Sequence, residues 1–191
     1  MENGNIKPIK ISFIGDCGVG TTNIIRVING EKYEPYSNST LTSYYCRKTI
    51  IINEKAVNLS LWDSGGGQEP LRRMKELFVK DSDIFILIYF ITKENTYKGV
   101  YYWVNKIKEI SEKEFIIGIL GNGTDLIEKV EDNEMFNYAK SIGAKIKYVS
   151  AKEKSGIILN FLKELVLDYL KRRNILNQKD YENEIRKNKN K

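Results

Sequence analysis

Two almost wholly apolar stretches constrain the fold of this chain more than any other feature of its sequence. Residues 84–91 (IFILIYFI) and 115–120 (FIIGIL) carry no charged side chain and are rich in isoleucine and aromatic residues. Such runs predict strands buried on both faces, which occur almost only in parallel sheets covered by helices. Residues 95–111 between them repeat apolar side chains at helical spacing. Together they predict a strand–helix–strand unit of an α/β fold.

The same alternation of strands and helices extends over the rest of the body. Further strands are predicted for residues 9–14, 45–53, 56–62 and 146–149, and further helices for residues 21–29, for residues 131–142 and for a stretch that ends near Arg173. The short link at residues 53–55 is typical of a hairpin, so the second strand is expected to pair antiparallel with the third. The sequence therefore predicts a mixed six-stranded sheet flanked by helices.

Length and charge exclude several classes of protein. A chain of 191 residues with 41% hydrophobic and 29% charged side chains suits one globular domain, and excludes a disordered chain or a membrane-spanning bundle. Residues 171–191 hold eight cations and three anions, which account for nearly all of the net charge of +6. Residues 1–170 are therefore close to neutral. We expect a domain at residues 1–173, a basic polar tail or linker at residues 174–191, and no specific binding of nucleic acid.

The cysteine and histidine content narrows the chemistry further. Cys17 and Cys46 are the two cysteines, and there is no histidine. This content argues for neither a disulfide framework nor a zinc site, and it removes the commonest general base and any Ser-His or Cys-His nucleophile pair. The N-terminal residues lack the apolar stretch of a signal peptide, so we expect a reducing, cytoplasmic location.

Parallel sheets bind ligands beyond the carboxyl ends of their strands, so residues just after each strand are candidates for function. Residues 15–22 (GDCGVGTT) follow the first strand and precede a helix. They match the phosphate-binding loop GxxxxGK[ST], except that Thr21 replaces the lysine. Glycines there let backbone N–H groups face phosphate oxygens, and Thr22 can offer its hydroxyl to Mg²⁺. The alternative is a glycine-rich turn without a ligand.

Three more candidate motifs follow later strands. Asp63 ends the third strand, where it can hold Mg²⁺ through water or simply cap a turn. Asn122 and Asp125 follow the fifth strand; a carboxylate at 125 can accept two hydrogen bonds from guanine, although Asn, Gly and Asp also form plain turns. Residues 150–152 (SAK) follow the sixth strand and carry no meaning alone.

Taken together and in this order, the four motifs resemble those of the Ras-superfamily small GTPases over residues 8–173. Within that superfamily the chain is similar to the Rab branch, because Ser39-Thr40-Leu41 resembles the Rab Ser-Thr-Ile, Trp62-Asp63-Ser64 resembles Trp-Asp-Thr, and Trp103 fits the Rab tryptophan of the third main helix. The resemblance implies the G-domain form of the P-loop NTPase fold, with GTP or GDP and Mg²⁺ as ligands.

The resemblance also implies roles residue by residue. It implies that Tyr33 stacks on the base (otherwise a half-exposed loop aromatic), that Asn122 and Asp125 read guanine, and that Gln68 is catalytic. The metal ligands it implies are Thr22, Thr40 and Asp63. The implied nucleotide-binding residues are Gly15, Asp16, Cys17, Gly18, Val19, Gly20, Thr21, Thr22, Asn23, Tyr33, Thr40, Gly66, Asn122, Asp125, Ser150, Ala151 and Lys152.

The chain departs from the family pattern in four places. Thr21 replaces a lysine that contacts the β- and γ-phosphates, and Gly123 replaces the lysine of the family's Asn-Lys-x-Asp motif. An extra Gly67 puts Gln68 five residues past Asp63, where the family has four. No cysteine follows Cys46, so the chain as given lacks the C-terminal cysteines that Rab proteins prenylate. The three departures at the site predict weakened nucleotide binding and slow hydrolysis. For hydrolysis two alternatives are open: either Gly67 takes the catalytic position, or the loop bulges and Gln68 still reaches it.

The sequence therefore predicts a divergent Rab-like GTP/GDP switch in vesicle trafficking that hydrolyses GTP to GDP and phosphate slowly. Effectors and exchange factors are expected at residues 31–44 and 64–80, and the location is expected to be cytoplasmic or peripheral on endomembranes. The basic tail is a candidate for contact with a second domain or a membrane. The main alternative is a pseudo-GTPase that acts as a nucleotide-independent binding scaffold. Asp125 and residues 150–152 disfavour a P-loop kinase or ATPase.

Overall fold

A computed structural model of the chain describes residues 7–35, 44–63, 79–127, 132–153 and 155–189. Its sheet has six strands in the order β2-β3-β1-β4-β5-β6. The strands are β1 (Ile9–Gly15), β2 (Tyr44–Ile52), β3 (Lys55–Asp63), β4 (Ile84–Phe90), β5 (Ile116–Asn122) and β6 (Lys145–Val149). Pairing is antiparallel between β2 and β3 and parallel elsewhere, which confirms the predicted mixed sheet.

Five α-helices lie within the described residues. They are α1 (Thr21–Asn29), α2 (Asn95–Ile110), α3 (Asn133–Ser141), α4 (Ser155–Arg172) and α5 (Gln178–Lys189). A short 3₁₀ turn spans Thr124–Leu126. In the β2–β3 hairpin, the linking residues Asn53 and Glu54 both adopt positive φ, 47° and 62°, as expected for a tight turn whose twist matches its strands.

Helices cover both faces of the sheet, which explains the apolar composition of the central strand β4. Its residues alternate between two core clusters: Ile86 packs in the cluster that includes residues of α1 and α4, and Phe85 and Leu87 pack in the cluster that includes residues of α2 and α3. Each of these three side chains is at most 1% exposed. The strand is therefore buried on both sides, as its sequence predicts.

Most of the predicted tail or linker forms the helix α5, which packs against α4. The Tyr181 hydroxyl donates a hydrogen bond to Asp168 at 2.7 Å, and the Lys171 ammonium lies 4.5 Å from the centroid of the Tyr181 ring. Leu176, Tyr181 and Ile185 are partly buried against the core. Among the described residues, no helix combines the length and apolar content needed to cross a membrane. The domain boundary at residue 173 stays a prediction.

Candidate functional site

The phosphate-loop candidate joins β1 to α1 through a turn that needs glycine. Gly18 and Gly20 have φ of 78° and 90°, in the left-handed region that side chains disfavour. A side-chain carbon added at Gly20 would lie 2.5 Å from Nδ2 of Asn122, so the backbone approaches a neighbouring loop closely there. At Gly18 an added carbon would meet nothing within 4 Å, which leaves the loop open on that side. Gly20 is also the N-cap of α1.

Asn122 connects the phosphate loop to the loop after β6. Its side-chain Nδ2 donates to the carbonyl of Val19 at 2.9 Å, and its Oδ1 accepts from the N–H of Ala151 at 3.1 Å. The residue is 6% exposed, so both hydrogen bonds are shielded from water. One side chain thereby fixes the relative positions of two of the predicted binding loops.

Thr22 and Asp63 meet as the predicted metal site requires. The Thr22 hydroxyl donates to Oδ2 of Asp63 at 2.6 Å, and Asp63 is 1% exposed at the end of β3. The described residues contain no group of three or more His, Cys, Asp or Glu side chains that could hold an ion by themselves. The pair fits Mg²⁺, which is usually held by one or two protein oxygens together with phosphate and water.

Asn23 and Arg26 on α1 hold the segment that carries Tyr33. Asn23 Nδ2 donates to the carbonyl of Glu34 at 2.9 Å, and the Glu34 N–H donates to Asn23 Oδ1 at 3.0 Å. Arg26 pairs with the Glu34 carboxylate, and this hydrogen bond raises the pKa of the Arg26 guanidinium. Tyr33 is partly buried against the core. The Asn23 side chain thus holds this segment in place.

The base-loop candidate follows β5 and lies beside the loop after β6. The Gly123 N–H donates to the carbonyl of Val149 at 3.0 Å, and the 3₁₀ turn then places Asp125 two residues on. Ser150 is fully buried, and its Oγ accepts from the N–H of Lys152 at 3.2 Å. The Gly123–Val149 hydrogen bond and that of Asn122 with Ala151 place the loop of Asp125 next to the loop of residues 150–152.

The remaining predicted residues of the phosphate loop have separate surroundings. The Thr21 hydroxyl lies 3.0 Å from the position that a side-chain carbon of Gly15 would occupy, so it faces back toward the end of β1. The Asp16 carboxylate lies against α2, since an added carbon at Gly99 would come within 2.6 Å of Oδ2. Cys17 is exposed. Thr40, Gly66, Gly67 and Gln68 lie outside the described residues, and their roles stay predictions.

One residue beside this site, Phe90 at the end of β4, was not predicted from the sequence. In the parallel register it lies opposite Asn122, and its ring packs against Gly123. The one sequence feature that pointed to Phe90 is that a bulky aromatic residue ends a strand, at the sheet edge where the candidate loops lie. An apolar run that predicts a buried strand does not indicate that its last side chain also contacts a neighbouring loop.

The chain is similar to known proteins over most of its length. The family model described as "Ras family" matches residues 10–169. The chain is 33% identical over 171 residues to the Ras-related protein Rab-21 of Homo sapiens, which covers 88% of this chain and 73% of the relative. It is 30% identical over 165 residues to Rab-21 of Geodia cydonium, covering 85% and 69%, and 29% identical over 154 residues to Rab-22A of Homo sapiens, covering 80% and 79%.

Proposed function

The chain belongs to the Ras family of small GTPases, on its Rab-like branch, and from that premise we propose that it binds GTP and GDP as a switch in membrane traffic. The observation that carries the proposal is the bridge made by Asn122. Its two buried hydrogen bonds join the phosphate loop to the loop of Ala151. A ligand that spans both loops, with phosphates at one end and a base at the other, fits a nucleotide.

In this proposal each end of the site has its own task. Backbone N–H groups of residues 15–20 and the N-terminus of α1 bind the phosphates. Thr22 and Asp63 hold Mg²⁺, with Thr40 as a further ligand, and the ion neutralises phosphate charge when bound. Asp125 selects guanine through two hydrogen bonds that adenine does not offer, and the stem of Lys152 completes the base site.

We propose slow hydrolysis of GTP for two reasons. Thr21 brings no positive charge to the phosphates, where a charge-assisted hydrogen bond is worth about 1.5–3 kcal/mol. Gly67 displaces Gln68 by one position from the spacing the family uses to orient the attacking water. Positioning and charge stabilisation act in the same transition state, so both losses lower the rate.

Partner proteins are proposed to bind beside the β2–β3 face. Tyr45, 41% exposed, pairs with Trp62 at a centroid distance of 4.6 Å, and the Lys10 ammonium lies 5.5 Å from the Trp62 ring. Trp62 is partly buried, and aromatic side chains are enriched where proteins bind one another. This pair lies on strands that adjoin residues 31–44 and 64–80 in sequence, which supports an effector and exchange-factor surface there.

The basic tail is proposed as a means of membrane contact, and the proposal extends to the location of the protein. Lys179 and Arg186 are exposed on α5, and they offer positive charge to an anionic membrane or a second domain. We propose a cytoplasmic protein that is peripheral on endomembranes. Sedimentation with anionic and neutral vesicles tests the membrane contact, and equal binding to both contradicts it.

The alternative function is a nucleotide-independent scaffold. The loss of lysine at both Thr21 and Gly123 favours it, because each change removes a positive charge from the predicted site. Mass analysis of nucleotide released from freshly purified protein, followed by thermal unfolding with added Mg²⁺-GDP or Mg²⁺-ADP, separates the two. The switch predicts bound guanine nucleotide or selective stabilisation by GDP. The scaffold predicts neither.

A further inference from the structure

The ring of Phe90 fills the space directly beside Gly123. A side-chain carbon added at Gly123 would lie 2.9 Å from Cζ, 3.1 Å from Cε1 and 3.2 Å from Cε2 of Phe90. All three distances are shorter than ordinary carbon–carbon contacts of about 3.5–4.0 Å. Gly123 also has φ of 99°, a conformation that side chains disfavour. A side chain at 123 and the ring at 90 therefore compete for the same space.

Phe90 is held in place from several directions. Its N–H donates to Oγ1 of Thr96 at 3.0 Å, and the Thr96 hydroxyl donates to the carbonyl of Lys93 at 2.6 Å. The Lys93 ammonium lies 5.3 Å from the centroid of the ring. Phe90 also pairs with Asn122 in the sheet, and the next N–H, of Ile91, donates to the Asn122 carbonyl at 3.0 Å. These contacts fix the backbone on which the ring depends.

From this packing we propose that Phe90 is a positioning residue of the base loop, and that its ring fills the space that a side chain at position 123 would need. The ring presses on the turn between Asn122 and Asp125 and so sets where the Asp125 carboxylate points. Val19 of the phosphate loop and Ala151 belong to the core cluster against which Phe90 packs. The inference rests on the proposed guanine-nucleotide site.

We expect the effect of Gly123→Lys on GDP dissociation to depend on the residue at position 90. In Gly123→Lys the new side chain meets the Phe90 ring, and GDP should dissociate faster than from the unmodified chain. In the double variant Phe90→Ala, Gly123→Lys the ring is gone, and the lysine stem can enter the space. GDP should then dissociate more slowly than from either single variant.

The first experiment measures dissociation of a fluorescent GDP analogue and competition by GDP and IDP. IDP lacks the exocyclic amine that Asp125 is proposed to bind, so the ratio of GDP to IDP affinity reports the position of that carboxylate. Phe90→Ala should speed GDP dissociation about tenfold and lower this ratio. Phe90→Leu, which keeps apolar bulk, should restore part of both. A purely structural role would weaken GDP and IDP equally.

The matched control is Phe115→Ala. Phe115 is also partly buried, and it stands before β5 at the end opposite Asn122, in edge contact with Phe85 at a centroid distance of 5.5 Å. This variant should lower the unfolding temperature without changing the GDP to IDP ratio. A similar change of ratio in Phe115→Ala would overturn the assignment to Phe90.

The second readout needs no nucleotide. Gly123→Lys should lower the unfolding temperature more in the chain with Phe90 than in Phe90→Ala, because the clash exists only in the former. Equal losses in both backgrounds contradict the competition for space. If GDP binds but Phe90→Ala changes neither dissociation nor the ratio, the positioning role is wrong and the proposed function survives. If no variant binds GDP, the proposed function fails first and the positioning role fails with it.

Discussion

At the phosphate end of the candidate site Thr21 stands where related proteins have a lysine, and at the base end Gly123 stands where they have another. The two ends differ in what occupies the neighbouring space. Beside Gly123 the ring of Phe90 leaves no room for a side-chain carbon, at 2.9 Å from the nearest ring atom. The Thr21 hydroxyl instead turns back toward Gly15, on a loop that keeps its glycine conformations.

The two lysine replacements look alike in sequence, but they have different physical consequences. In our proposal, an apolar ring at the base end takes the space of a side chain at position 123 and brings no charge. At the phosphate end the glycines have the φ values that a phosphate loop needs, and no ring fills the place of the lysine. Returning lysine should therefore help at position 21 and harm at position 123.

The largest expected effect comes from removing the selecting group at the base end. Asp125→Ala should lower GDP affinity by about two to four orders of magnitude, since two charge-assisted hydrogen bonds of about 1.5–3 kcal/mol each are lost. Isothermal titration with GDP and ADP measures it. Glu112→Ala, which removes an exposed acid before β5, serves as the control. If ATP and ADP stabilise the unmodified chain as well as the guanine nucleotides do, the assignment of Asp125 is wrong.

The next effect tests the link between the two ends. Asn122→Ala removes the donor to Val19 and the acceptor from Ala151, and leaves two buried backbone groups without that partner. Each such loss costs about 1–3 kcal/mol, so the free energy of unfolding should fall by several kcal/mol. Chemical denaturation measures the loss. GDP dissociation should accelerate as well. If the variant is as stable as the unmodified chain and releases GDP at the same rate, Asn122 does not link the two ends of the site.

Restoring charge at the phosphate end should give a smaller change of opposite sign. Thr21→Lys adds an ammonium to a loop whose glycines already suit phosphate, and GDP dissociation should slow by about one to two orders of magnitude. Thr21→Met, of similar length without charge, is the control. An unchanged rate in the lysine variant means either that another cation already serves the phosphates or that the loop does not hold them, and the second outcome favours the scaffold.

The smallest effect concerns hydrolysis. Deleting Gly67 restores the family spacing of Gln68 and should raise single-turnover hydrolysis modestly at saturating GTP. Combined with Thr21→Lys, the increase should exceed the product of the separate effects, because water positioning and charge stabilisation share one transition state. If the unmodified chain already hydrolyses GTP as fast as the double variant, slow hydrolysis is wrong.

Much of the fold could be predicted from local patterns. The apolar strands, the hairpin at residues 53–55 and the helices that cover the sheet appear where their periodicity places them. The packed helix α5 was not predicted, because its few apolar contacts, such as Ile185, lie in a polar stretch. The spacing of apolar residues shows which face of a helix or strand is buried. It does not show which distant part of the chain packs against that face.

Less of the candidate site than of the fold could be predicted from the sequence. The motifs and the family resemblance indicated Thr22 and Asp63 as partners in one metal site, and the structure brings the two into hydrogen-bond contact. The hydrogen bond from the Ala151 N–H to Asn122 was not predicted. The contact of Phe90 with Gly123 was not predictable, because it depends on the orientation of a ring toward a residue 33 positions further along the chain. No motif specifies such packing.

The most direct test of this account compares GDP dissociation from the unmodified chain, Thr21→Lys and Gly123→Lys under the same conditions. The account predicts slower dissociation from Thr21→Lys and faster dissociation from Gly123→Lys. Slower dissociation from both would contradict it, because the ring of Phe90 would then not occupy the place of the missing lysine. Failure of all three to bind GDP would contradict the nucleotide site itself.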